Sequence, residues 1–473
     1  MGQQPAWKRN LKNIGYLSAI ALFGLAATGC SSGSSGTANQ QVQVRVWRLD
    51  QDVDSFRDYI ANFQKAHPTV KVTYSKKTTD GYEFSALKSL AGQQGPDIWS
   101  IPNDWLGDYK DQVLPLPDNF FQVDGQATTP KPVDAIKQYF PQGIYEQLLS
   151  DDGTQVLGFP SNVDTLQLYV NPAIFSTAIG EFRTAQGNNL RDDTFQPVKQ
   201  LLSSPPATWN DLVSQVKYLT LRNGNTITRS AIALGTADNI PNSEDVLQLL
   251  MLQNGTKITS DDRKAPLFQV AQSTPTGGQV RPGENALTFF SSFSDPSNAD
   301  YSWNPSMPSA LDAFGQGKVA MVVAYSDFGK QLKVKYPQFS YDTVKVPQIS
   351  AAQAPVNLIH FSVETVTKSA NNPAAAFAFL KTYVDKSDMK SITAEQKLFS
   401  PYVATLKDQN TFASNQILTG KAVYKIDHPQ FDDIFHQMIV DTSQDGISPA
   451  DAVKEGGDQI DALLNPAPDD SSN

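Results

Sequence analysis

The chain opens its regular pattern with alternation. VQVRVWRLD over 42–50 sets apolar side chains at every second position, the period of a half-buried strand, and ends in Trp47 and Asp50. From Asp52 to Ala66 the period changes, with Phe56, Ile60 and Phe63 at helical spacing. His67-Pro68 closes that run, because a residue before proline avoids the α region. Alternation returns in VKVTY (70–74), and a helix is expected over Tyr82–Ala91. GPDIWSIPNDWLGDY (95–109) then reads as a short buried strand, an exit at Pro102 and a loop running into a helix. Strands and helices alternating in this way are the pattern of a doubly wound parallel sheet.

The pattern loosens from Leu114 to Leu149, a helix-containing excursion anchored by Tyr139, Phe140 and Tyr145 that returns at an Asp152-Gly153 turn. Two strand runs are expected around Pro160 in 156–171, and Asn171-Pro172 opens a short helix. Residues 177–204 and 256–280 are polar with little periodicity and read as insertions. Between them Thr208 followed by Asp211 forms a weaker version of the capping box, with Trp209 as a packing residue. A strand at Ile232–Leu234 and a helix over Ser243–Gln253 follow, the helix stopped by Asn254-Gly255. Helices over Asn285–Phe293 and Ser309–Phe314 lead into GQGKVAMVVAY (315–325), whose unbroken Val/Ala/Met run suits a strand buried on both faces. Strands at 344–347 and 361–366, a helix from Asn372-Pro373 to Tyr383 and a closing helix over Ser448–Leu464 complete the pattern.

A chain of 473 residues exceeds the size at which one core stops growing, so two or more domains are expected. The net charge of −10 comes without a basic patch, which argues against nucleic acid and against polybasic attachment to anionic lipid. The single cysteine, Cys30, excludes an intramolecular disulfide framework and a Cys-based zinc site. The four histidines, His67, His360, His428 and His436, show no HxH or HExxH spacing, and His67 beside the helix-ending proline is structural. Neither a metal nor another cofactor is expected.

At the N-terminus, Lys8, Arg9 and Lys12 precede an apolar run over Ile14–Ala27, the length of a signal h-region and short of a membrane span. LAATGC (25–30) resembles a bacterial lipobox, although the Leu preferred three places before the cysteine is Ala27 here. That resemblance implies a signal peptide over 1–29, lipidation of Cys30, and a flexible tether through 41. Loss of Lys8, Arg9 and Lys12 takes the chain from −10 to about −13. No other run reaches roughly 18 apolar residues.

The candidate chemistry collects at strand ends, where ligands bind in open α/β sheets. Asp104 and Trp105 follow the 98–102 strand, and Tyr325, Asp327 and Phe328 follow the 319–324 run. Carboxylates accept hydrogen bonds from hydroxyls, and aromatic faces stack on the apolar faces of rings. Asp104 could equally be a helix N-cap. Trp99, inside the strand beside Ile98, is a core residue.

Read in order, VRVWRLD (44–50), FQKAHPTVKVTY (63–74), GPDIWSIPNDWLGDY (95–109), GFPSNVDTLQLYVN (158–171), PPATWNDL (205–212), FGQGKVAMVVAYSDF (314–328), FSVETVTKSANNPAAAFAFLKTYV (361–384) and SPADAV (448–453) resemble the extracellular solute-binding proteins of ATP-binding-cassette importers, which include maltodextrin-binding protein. The resemblance spans about 42–464. It implies a periplasmic-binding-protein-like type II fold, with two doubly wound α/β lobes joined by crossing hinge strands. The N-terminal lobe would comprise 42–158 and 350–400, the C-terminal lobe 159–349 and 401–465, and 466–473 a disordered tail. Crossings are expected near Leu157–Val163, Val346–Ala354 and Leu398–Val403.

In sugar-binding relatives a carboxylate at the position of Asp104 takes sugar hydroxyls. A tryptophan of relatives falls at Asp327, and another, in the penultimate helix, falls near Asp432, so maltodextrin itself is not expected. The turn Asn239–Asn242 corresponds to a ligand-contacting turn. Expected contacts are Trp47, Asp50, Asp104 and Trp105 from the first lobe, with Asn162, Asp164, Asn239, Tyr325 and Asp327 from the second. The expected function is a monomeric, lipid-anchored receptor on the outer face of the cytoplasmic membrane. It would capture a mono- or oligosaccharide by lobe closure and hand it to a membrane-embedded permease. The alternatives are a receptor for a polyamine or cationic peptide, a sugar sensor without transport, and a cleft glycosidase, for which nothing sets two carboxylates at a hydrolytic spacing.

Overall fold

The computed structural model describes residues 41–49, 56–78, 81–122, 129–187, 191–273, 277–350 and 353–466. Asp50, Cys30 with its signal and tether, and the tail beyond 466 lie outside the described residues.

The alternating segments form strands β1 (Val42–Leu49) and β2 (Val70–Lys77), with β3 (Ile98–Pro102) after the second helix. β1 is flanked by β2 and β3, parallel to both. Val44, Val46 and Arg48 share its buried face. Short β4 (Val113–Leu114) and longer β5 (Phe159–Thr165) join the same sheet further along the chain.

The break between the two strand runs of 156–171 falls at Leu166, not at Pro160, and β6 (Gln167–Val170) follows it. Pro160 is tolerated inside β5 because the register slips there: Ser362 pairs with Asn162 and Val363 with Pro160, leaving Ser161 unpaired as a bulge. The expected short helix at Asn171 runs fifteen residues, Pro172–Gln186, and a second helix covers Asp192–Leu201. Much of 177–204 is therefore helical. Its buried stripe is narrow (Ile174, Phe175 and Ala178, then Val198), so polar side chains mask the period.

Strands β7 (Leu221–Asn223) and β8 (Thr226–Ala233) pair antiparallel, and the described residues of 256–280 are irregular apart from the antiparallel pair β9 (Gln272–Ser273) and β10 (Gln279–Val280). β11 (Val319–Ala324) is buried along its whole length, as its composition requires. The strand expected at 344–347 is β12 (Asp342–Val344). β13 (Asn357–Thr367) is much longer than the 361–366 core, and β14 (Gly420–Lys421) is short.

One sheet runs β14-β13-β3-β1-β2, with β4 and β5 also on β13; the other runs β12-β6-β11-β8-β7. Each has its own main core, and a further cluster around Trp303 and Phe314 packs the other face of the second sheet. Val44 through Val163 and Ile359 through Ile417 supply the first; Leu166 through Val346, Leu358, and Val423 through Ile460 supply the second. The chain therefore passes between cores at 163–166, at 358–359 within β13, and at 417–423. A fully buried Arg48 stitches the first sheet, donating to Tyr383 Oη at 2.8 Å and Ser161 Oγ at 3.0 Å, and lying 2.9 Å from Glu364 Oε1.

Candidate functional site

Pro102 ends β3, and the chain turns through Asn103–Trp105 into a short helix, Leu106–Tyr109. The turn is pinned because the backbone N–H of Phe361 donates to Asn103 Oδ1 at 2.9 Å. Gly107 then lies so close to the Lys425 backbone and the Tyr424 ring that an added Cβ would sit 2.4 Å from the Lys425 carbonyl. Asp108 holds the start of the helix His428–Ser443: its carboxylate accepts from the backbone N–H groups of Asp427 and His428, the latter at 3.0 Å, and lies 2.7 Å from His428 Nδ1. Asp427 reaches this position in the left-handed region, φ 46°. Opposite, Asn242 at φ 54° begins the helix Ser243–Gln253, with Glu244 and Asp245 in its first turn, where the helix dipole favours negative charge.

These elements enclose a cavity of about 330 Å³ lined by Asp104, Asn242, Glu244, Asp245, Tyr325, His360, Lys425, Asp432, Asp433 and His436. Lys425 is its centre, 6% exposed, with Nζ 2.6 Å from Asp432, 3.3 Å from Asp104 and 3.8 Å from Asp245. His360 Nε2 lies 3.4 Å from the other oxygen of Asp104. Burial on its own would lower the Lys425 pKa, but Asp104, Asp245 and Asp432 outweigh it and keep the ammonium charged. Burial would raise the Asp104 carboxyl, yet Lys425 and His360 hold it well below the usual carboxylate range. Asp432 goes the other way: burial, reinforced by Asp245, pushes it up to about 6 despite Lys425. Burial and then Asp245 raise the Tyr325 phenol.

Of the residues expected to contact solute, Asp104 and Tyr325 line this cavity. Trp105 lies beneath it, 9% exposed and stacked on His428 at 4.8 Å, so its face is already covered. Lys77 Nζ sits 3.7 Å over the ring of Trp47. Asn162 bridges the paired strands through Ser362, and Asp164 accepts from Ser326 N–H at 2.9 Å and its hydroxyl at 2.6 Å, capping the helix Ser326–Lys335. Asn239 spends its amide on the separate 303–307 segment, accepting from Trp303 Nε1 and donating to the carbonyls of Asn304 and Met307. Asp327 is exposed and accepts from Gln331 one helical turn on. Apart from Asp50, which the structure does not describe, these five residues, Trp47, Asn162, Asp164, Asn239 and Asp327, do not line the cavity.

Lys425, His360 and Asp245 were not singled out from sequence; no motif surrounds Lys425. The acidic start of 243–253 was the one available signal for Asp245. Among the described residues no helix is long and apolar enough to cross a membrane, and no group of three or more His, Cys, Asp or Glu could hold a metal ion.

The family profile described as bacterial extracellular solute-binding protein matches residues 58–420, well over half the chain. A lipoprotein of Streptomyces antibioticus, named only by its place in the oleD 5' region, is 29% identical over 93 residues. That stretch is 19% of this chain and 20% of the relative, so the chain matches about a fifth of that protein's length. Among solved structures, the cyclic α-maltosyl-1,6-maltose binding protein of Arthrobacter globiformis superposes with a TM-score of 0.68 at 17% identity, over 90% of this chain and 100% of the other. The sugar-binding protein MalE of Xanthomonas citri gives 0.67 at 17%, over 89% and 97%. The GacH receptor of Streptomyces glaucescens, solved unliganded and with acarbose, gives 0.64 at 16%, over 90% and 100%. At these identities the likeness establishes the fold, the MalE-like type II arrangement of two α/β sheets.

Proposed function

We propose that this chain, which belongs to the bacterial extracellular solute-binding proteins, captures a carbohydrate in the cavity around Asp104 and delivers it to an ATP-binding-cassette permease. The carrying observation is the composition of the cavity wall. Asp104 and His360 come from elements of the first core, and Asp245, Tyr325 and Asp432 from elements of the second. A solute touching both sets favours the arrangement in which they are close, which is capture by closure. The wall is rich in hydrogen-bonding groups, and among its described residues Tyr325 is the one Phe, Tyr or Trp, which suits a small sugar better than a long chain of stacked rings. The fold neighbours named for maltose-type sugars and acarbose support the same substrate class.

The three chain passages between cores, at 163–166, 358–359 and 417–423, serve as the hinge in this reading. They lie beyond the crossings expected from the resemblance, and they move 401–417 to the N-terminal lobe. The protein works as a monomer, lipidated on Cys30 and held at the outer face of the membrane, a placement consistent with the lipoprotein relative.

The test is titration calorimetry and small-angle scattering with a panel of mono- and disaccharides. A binding sugar should contract the protein, and Asp104→Ala should weaken that sugar at least about tenfold, the equivalent of one hydrogen bond to a charged group. Unchanged affinity in the variant would remove Asp104 from the site.

A further inference from the structure

Among the described residues five carboxylates line the cavity, Asp104, Glu244, Asp245, Asp432 and Asp433, against one lysine and two histidines. With both histidines protonated the wall still holds more negative groups than positive ones. Lys425 is committed to Asp432, Asp104 and Asp245, and His436 to Glu244 at 2.7 Å and Asp238 at 3.1 Å. A neutral sugar would satisfy hydrogen bonds here yet leave the surplus negative charge enclosed as the lobes closed over it. A cation offsets that charge, and complementarity of this kind selects among otherwise similar solutes.

An independent observation lies directly below. Gln248 is fully buried, and neither its amide oxygen nor its amide nitrogen has a hydrogen-bond partner. It stands three residues after Asp245 on the same helix, the spacing that puts both on one face. Gln248 lines a slot of about 10 Å³ with Asp104, Asp245, Tyr325, His360 and Lys425 and with the apolar Leu358, Ile359 and Val423, room for one hydroxyl-sized group. Leucine would fill this position without an unsatisfied amide, so the fold alone gives no reason for glutamine.

We infer that the solute is a sugar bearing a protonated amine. Its ammonium is seated among Glu244, Asp245, Asp432 and Asp433, and a ring hydroxyl reaches the Gln248 amide through the slot. The inference rests on the carbohydrate reading above and narrows its substrate class.

The experiment is calorimetry on the purified protein with matched probes: glucosamine, galactosamine and the β-1,4-linked glucosamine disaccharide, against glucose, galactose, cellobiose and the N-acetylated forms, with spermidine as a sugar-free cation. The amino sugars should bind at least about tenfold more tightly than their neutral partners, with the advantage shrinking as salt rises. Asp433→Asn, at an exposed position of the wall, should shrink the amino-sugar advantage over the matched neutral sugars. Gln248→Leu should weaken binding about tenfold while raising the unfolding temperature of the ligand-free protein. Equal or tighter binding of neutral sugars overturns the amine assignment and leaves the carbohydrate reading standing. Spermidine bound in preference to every sugar overturns both, and silence across the panel overturns the inference as stated.

Discussion

Asp104 and His360 show how one side-chain pair can carry both recognition and stability. Desolvation would lower the His360 pKa, but Asp104 outweighs it and raises the imidazole above its usual 6.5, while Asp104 itself drops below 3.8; with the His360 side chain 41% exposed, solvent screens the pair and keeps its contribution to stability modest. A raised histidine contributes stability that is complete below pH 6.5 and is lost as pH climbs through the folded value; a depressed carboxyl contributes stability present above 3.8 and lost as pH falls through its folded value. Asp245, Lys425 and Tyr325 face the same pair and modulate it. His360→Gln should therefore lower the unfolding temperature most at about pH 5–6 and progressively less toward pH 9, as thermal scans across that range would show. Asp104 was legible as a carboxylate at a strand end. Lys425 was not, because a lone lysine in an irregular stretch carries no local pattern; three acidic groups from separate segments make it a site.

Between elements, the decisive contact is 103–109 against 424–428. Gly107 admits the Lys425 carbonyl, Asp108 takes the helix-start N–H groups, and Trp105 stacks on His428. Gly107→Ala should push the Lys425 segment away and destabilise the protein by about 1–3 kcal/mol, the usual cost of overpacking. Urea unfolding would measure the loss, and calorimetry should show weaker solute binding with it. The capping box at Thr208 was readable because both partners lie within one turn, and the structure shows both bonds, Thr208 N–H to Asp211 at 2.9 Å and Asp211 N–H to Thr208 at 3.1 Å. Pro160 was misread as a boundary for the opposite reason. The bulge that accommodates it lies in β5 at Ser161 and exists only through pairing with β13, some 200 residues further on.

For the molecule as a whole, two cores joined by three chain passages are what a chain of this length and strand count should produce, and the family profile spans both. Cys30→Ala should release the protein from cells into the medium, a shift that fractionation and immunoblotting would detect, while leaving solute affinity unchanged; continued membrane retention would remove the lipid anchor.

The strand and helix order of 42–102, the buried character of β11, the family and the candidacy of Asp104 were legible along the chain, because period, capping and motif order are local properties. The tertiary structure alone decided that Asp104 meets Lys425, His360, Asp245 and Asp432, that Trp105 is covered, and that Asn162, Asp164 and Asn239 bond within the fold. Whether a polar side chain is free for a solute depends on its neighbours in space, and those come from segments up to some 320 residues apart.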